Sequence, residues 1–190
     1  MTDATTNAND GTYMGAVKLG RPGALAHDKS TAIEFDGHTA AATVPNSPSL
    51  KVTRITIELW TKKLSESGYG IYVDKDYFEL LNNSYTGRLE FRLTASADPA
   101  VVSTTTLALN TWYYVVATYD GSVASLYVNG QLDGSHPAVA TPAQNDSPLS
   151  IARRFDGFFN NVVLEEVAIY PTALSAERIA AHWRAATSNP

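Results

Sequence analysis

Residues 112–132 constrain the fold more than any other part of the chain. Trp112-Tyr113-Tyr114-Val115-Val116-Ala117-Thr118-Tyr119 is apolar at odd and even positions alike. That pattern belongs to a central strand covered on both faces. Asp120-Gly121 then turns the chain, Ala124-Ser125-Leu126-Tyr127-Val128 returns, and Asn129-Gly130 turns it again toward Gln131-Leu132. Asp-Gly and Asn-Gly between β-rich segments are strong hairpin signals, because tight primed turns need positive φ. The segment therefore reads as an antiparallel meander.

Strand signals are dense elsewhere. Thr31 to Phe35 alternates and stops at Asp36-Gly37, and Ala42-Thr43-Val44 stops at Pro45, which has no N–H for a ladder. From Arg54 to Thr61, Ile55, Ile57 and Leu59 share one face, with Thr56, Glu58 and Trp60 on the other. Further strands read at Tyr69–Val73, Tyr77–Leu81, Arg88–Leu93, Leu149–Ala152 and Val162–Tyr170. Pro137 to Pro148 reads as a loop. One helix follows, with Ser175 as its cap, a Leu174–Ile179 staple, and Ala176, Ile179, Ala180 and Trp183 on one face. Trp183 is expected to pack against the strands. About a dozen short strands without βαβ alternation predict an all-β antiparallel sandwich with a short C-terminal helix.

Composition narrows the chemistry. The 190 residues include no cysteine, which removes disulfides, thiolate metal sites and cysteine nucleophiles. A chain of this mass exposes roughly 8,900 Å² when folded and buries about 70% of its open-chain surface. Its core suffices without staples. With 14 Lys+Arg against 19 Asp+Glu the net charge is −5, unlike the basic stripe of a nucleic-acid binder. The longest apolar runs fall far short of a membrane span. Neither nucleic acid nor membrane is an expected partner. Residues 1–13 are polar and read as an arm that lies on a neighbouring copy or partner, or packs back on its own domain. The sandwich is expected over residues 14–186 and a tail over 187–190.

These residues carry a resemblance. Phe35-Asp36-Gly37, Val44 to Leu50 and Ile55 to Trp60 resemble the opening of laminin-G-like domains in the concanavalin A-like lectin/glucanase superfamily. Leu109 to Gly121, Leu126 to Gly130 and Phe158 to Tyr170 resemble the middle and end, and so do Ala173-Leu174-Ser175, Ile179 and His182-Trp183. The resemblance spans about residues 17–185 and implies a jelly roll of two packed antiparallel sheets. Its members bind sugars or proteins, hydrolyse glucans, or serve as structural modules, so function must be argued from the site.

Catalytic patterns are weak. Glu34 and Asp36 share a face, but no third acid follows and Asp36 opens a turn. Glu165 and Glu166 are adjacent and point to opposite faces of a strand. Neither pair matches the facing carboxyls of a retaining hydrolase. His27, His38, His136 and His182 are scattered, without zinc-ligand spacing. The chain is therefore read as non-catalytic. Some relatives hold a structural Ca²⁺ with loop carboxylates, and the resemblance assigns that place to Asp36 and Glu165; Asp36 also suits a turn. Sugar binding needs exposed aromatic platforms with polar partners. Tyr72, Tyr77, Tyr85 and Arg88 are the candidates, in a segment that also holds Tyr69, Phe78, Asn82 and Asn83.

Two roles follow as expectations. The first is a structural or attachment protein of a virion: a phage capsid-decoration or fibre protein, made in the host cytoplasm and meeting other virion proteins through residues 1–13. The chain's start carries no secretory signal. The second is a lectin module of a larger extracellular protein that binds cell-surface glycans. A glycan hydrolase ranks below both.

Overall fold

A computed structural model describes residues 1–25, 29–66, 68–76, 78–93, 99–138, 142 and 145–188. Its strands are β1 (Thr12–Met14), β2 (Lys18–Arg21), β3 (Ala32–Asp36), β4 (Ala41–Val44), β5 (Ile55–Lys63), β6 (Tyr69–Asp74) and β7 (Glu79–Asn83). They continue as β8 (Arg88–Arg92), β9 (Val101–Thr106), β10 (Trp112–Tyr119), β11 (Val123–Val128), β12 (Gln131–Pro137), β13 (Leu149–Ile151) and β14 (Asn161–Tyr170). A 3-10 turn at Pro48–Leu50 separates β4 from β5, and an α-helix, α1 (Ala176–Thr187), follows β14.

Two seven-stranded antiparallel sheets pack face to face. One runs β1-β4-β13-β6-β7-β8-β9 and the other β12-β11-β10-β5-β14-β3-β2. This is the expected jelly-roll sandwich. Ile55, Ile57, Leu59, Val115, Ala117 and Tyr119 of the second sheet meet Tyr72, Leu80, Leu89 and Phe91 of the first in one buried core. The accessible surface is 8983 Å², close to the scaling value for this mass.

The even positions of β10 explain why that strand is apolar throughout. Tyr114 and Val116 point away from the sandwich into a second cluster with Trp60, Tyr127 and Ile179, and Trp183 packs against it. Helix α1 is the layer that covers them. Its Ser175 cap accepts a hydrogen bond from the Arg178 N–H at 3.3 Å. His182 Nδ1 lies 3.0 Å from both Glu58 carboxylate oxygens, so it helps seat the helix on β5.

The hairpin turns behave as their sequences require. Asn129 and Gly130 both take positive φ, 52° and 77°, as a type I′ turn demands. Asp120 accepts the Ser122 and Val123 N–H groups, each at 2.8 Å. Three strands went unread. β1, β2 and β9 are short or polar edge segments whose apolar alternation is too weak to stand out.

Residues 1–13 fold back on their own domain. The Met1 amino group donates to the Gly11 carbonyl and the Gly11 N–H returns a bond to Met1, both at 3.0 Å. Asp3 accepts the N–H groups of Thr5 and Asn9 at 2.9 and 2.8 Å. Asn9 Nδ2 donates to Ser49 Oγ at 3.0 Å, and Thr12 enters the first sheet opposite Thr43. These contacts order the segment within one chain.

Candidate functional site

The outer face of the first sheet carries most of the unusual chemistry. Leu80, Leu89 and Phe91 point into the core. Strand alternation therefore sends Glu79, Leu81 and Asn83 of β7, and Arg88, Glu90 and Arg92 of β8, to the opposite side. The register sets Glu79 opposite Arg92 and Asn83 opposite Arg88. On β6, Tyr69 stands opposite Asn83.

Tyr69 is the hub of this face. Tyr85 lies edge-on to it at 6.1 Å and Phe158 at 5.9 Å, with planes inclined by 71° and 73°. The Arg92 guanidinium sits 5.2 Å from its ring centre. Tyr85 is 81% exposed and Phe158 39%, so two aromatic surfaces meet solvent beside a half-buried third. Arg88, paired with Asn83, is exposed on the same face.

Two layers of charge hold these rings. Tyr85 sits in the turn after β7, where its N–H donates to Asn83 Oδ1 at 3.0 Å. Asn83 Nδ2 donates to Glu90 Oε1 at 2.7 Å. Glu90 Oε2 in turn accepts from Arg92 Nη2 at 2.6 Å. On the other side, residues 153–159 form a tight hairpin-like loop, bridged between Arg153 and Phe159. Arg154 crosses it, bonding Asp156 with two 2.9 Å hydrogen bonds and lying 4.4 Å from the Phe158 ring centre. Glu79 sits between the two arginines, 3.4 Å from Arg92 and 3.6 Å from Arg154. Burial pushes its carboxyl up to about 7, against the pull of both guanidiniums. Burial also raises Asp74, its cross-strand neighbour.

The sequence candidates divide. Tyr85 and Arg88 are exposed on this face. Tyr72 is corrected: its side chain is fully buried in the core and is closed to any ligand. It follows Tyr69 by three positions, so the two rings point to opposite sides of β6. Tyr77 lies outside the described residues. Arg92, Arg154 and Phe158 were not singled out from sequence. The run Arg153-Arg154-Phe155-Asp156-Gly157-Phe158-Phe159 carried a usable signal, an Asp-Gly turn flanked by aromatics.

Asp36 and Glu165 do not converge on one cation. Asn161 stands opposite Asp36 and Leu164 opposite Ile33, so Glu165 lies about 13 Å further along the sheet at the usual strand rise. Asp36 accepts the N–H groups of His38, Thr39 and Ala40, each at 2.8 Å. These bonds hold its carboxyl well below the usual carboxylate range, although partial burial opposes them. Glu165 accepts the Ala24 N–H at 2.7 Å and the Ser30 hydroxyl at 3.1 Å, which ties that segment to β14. Among the described residues, no group of three or more His, Asp or Glu side chains is arranged to hold a metal. Glu34, the other acid near β3, pairs with Lys18 and Arg21 at 2.6 and 2.9 Å.

Comparison with known proteins agrees with this architecture. The profile of the Laminin_G_3 family, described as the concanavalin A-like lectin/glucanases superfamily, matches residues 36–180, well over half the chain. No curated protein matches. Among solved structures, the chain is similar to the botulinum neurotoxin serotype C1 binding domain (TM-score 0.74, 14% identity, 98% of this chain and 49% of that one). It is also similar to the binding domain of Paraclostridial Mosquitocidal Protein 1 (TM-score 0.73, 16% identity, 96% and 49%). A third is the binding domain of botulinum neurotoxin DC in complex with SialylT (TM-score 0.72, 14% identity, 98% and 48%). The chain spans about half the length of these structures, and at such identities the likeness is one of fold.

Proposed function

The chain belongs to the concanavalin A-like lectin/glucanases superfamily, and from that premise we propose that it is a non-catalytic glycan-binding module. The ligand seats against Tyr85 and Phe158, beside Arg88. The observation that carries this reading is the pair of exposed rings braced edge-on against Tyr69. Exposed aromatic rings with a few placed polar groups are among the features a small-molecule site uses.

The nearby acids support binding over hydrolysis. Glu79 and Glu90 are each only 6% exposed and share Arg92 as an ion-pair partner. A hydrolase needs two carboxyls that reach a sugar across an open cleft, and these two face protein. Among the similar structures, one is a neurotoxin binding domain in complex with SialylT and another belongs to a neurotoxin whose cell entry depends upon interaction with two ganglioside molecules, which lends the reading a precedent on this fold.

The attachment role expected from sequence is retained in this glycan-binding form. Virion assembly through residues 1–13 is not part of the proposal, because contacts within the chain account for the order of that segment. Glycan-array screening of the purified chain, followed by calorimetry on the best ligands, tests the proposal. Saturable binding that disappears in Tyr85→Ala supports it. Binding unchanged in that variant moves the site elsewhere, and no binding across the array overturns it.

A further inference from the structure

We infer that the ligand is a neutral glycan, and that the arginines of the site position its aromatic rings instead of meeting an acidic sugar. The inference rests on the glycan-binding reading above. It comes from following each charge on this face to its partner.

Arg92 is held by Glu90 at 2.6 Å and Glu79 at 3.4 Å. Arg154 is held by Asp156 through two hydrogen bonds and approaches Glu79. Both guanidiniums already have carboxylates, and Glu79 and Glu90 are buried. A sialic or uronic acid drawing Arg92 away would leave the buried Glu90 carboxylate behind without its partner, at a cost a rim contact does not recover. Arg88 lies on the exposed rim, and a solvated rim charge adds little to affinity. The whole chain carries −5, which repels an acidic glycan further.

The same contacts give the charged groups another task. The series Arg92–Glu90–Asn83 ends on the Tyr85 N–H, and Arg154 lies over Phe158. Phe158 is thus backed by a guanidinium, and the backbone that carries Tyr85 is tied through Asn83 to an ion pair behind the binding surface. Specificity then falls to ring stacking and uncharged hydrogen bonds, which suit the apolar face of a neutral hexose.

The test compares neutral oligosaccharides with partners that differ only by an added sialic or uronic acid, at 0.05 and 0.5 M NaCl (about a threefold change in Debye length). Expected are at least tenfold tighter binding of the neutral partner and less than a twofold salt effect. Tighter binding of the acidic partner, lost in high salt or in Arg88→Gln, overturns the inference while leaving the glycan-binding reading in place. Failure of both ligand classes to bind overturns that reading and the inference with it. Glu90→Gln separates positioning from contact: it weakens neutral ligands through Tyr85, and an unchanged affinity removes the positioning role.

Discussion

The Trp183 ring lies on the Trp60 ring, with centroids 5.2 Å apart and planes inclined by 23°. Tyr114 adds a third ring, 6.1 Å from Trp183. This stack joins α1 to the outer face of β5 and β10, apart from the main core. Trp183→Ala is expected to cost about 3 kcal/mol while the sandwich stays folded. Urea denaturation reads this as a lower midpoint with little change in slope. A variant as stable as the parent would show that the helix is not anchored by this stack.

Gly130 tests the turn and the helix together. Its φ is 77°, and a Cβ there would meet Trp183 Cβ at 2.8 Å. Gly20 also has positive φ, 72°, but has nothing within 4 Å. Gly20→Ala therefore carries backbone strain alone, about 1 kcal/mol. Gly130→Ala adds a clash and should lose at least about 2 kcal/mol. Equal losses in thermal or urea unfolding would mean that α1 yields freely at this contact.

Asp36 separates a turn-former from a metal ligand. Removing its carboxylate leaves three N–H groups at the β3 turn without their acceptor. Asp36→Ala is expected to cost about 2–3 kcal/mol, by the same amount in EDTA and in millimolar calcium. A loss that appears only when calcium is present would restore the metal role.

Much of this was legible because strands and tight turns are local. The double-sided apolar pattern of Trp112–Tyr119, the Asn129-Gly130 turn and the Ser175 cap each declare themselves within a few residues. The site was legible only in part. Tyr85 and Arg88 stand in one aromatic-rich stretch, but Phe158 and Arg154 arrive from the far end of the chain through the pairing of β13 with β6. Such convergence is a property of topology. Tyr72 was misread for a different reason: alternation already separated it from Tyr69, yet composition alone grouped the two.

Glu79 gives the stability a pH dependence of defined sign. Its ordinary value is 4.5, and burial between β6 and β8 raises it to about 7. The folded state therefore holds this proton more tightly than the unfolded chain does. The resulting stability is fully present below pH 4.5 and is lost as pH rises through about 7, a change of about 3 kcal/mol at full extent. Glu79→Gln cannot titrate and should flatten the stability profile between these values. Urea midpoints measured across that range check it; parallel profiles for parent and variant would refute the assignment.

Tyr85 distinguishes binding from folding most cleanly. With 81% of its surface exposed, its side chain contributes little to the core, and Tyr85→Ala should change stability by no more than about 0.5 kcal/mol. Its neighbour contact with Tyr69 is an edge contact at the surface, so the Tyr69 ring stays in place beneath Arg92. Loss of a platform ring from a compact site weakens ligand by about 2 kcal/mol, or more than tenfold. Calorimetric titration alongside thermal unfolding reads both quantities on one sample. Parallel loss of stability and affinity would make Tyr85 a structural residue. Loss of affinity at constant stability places the ligand on its ring.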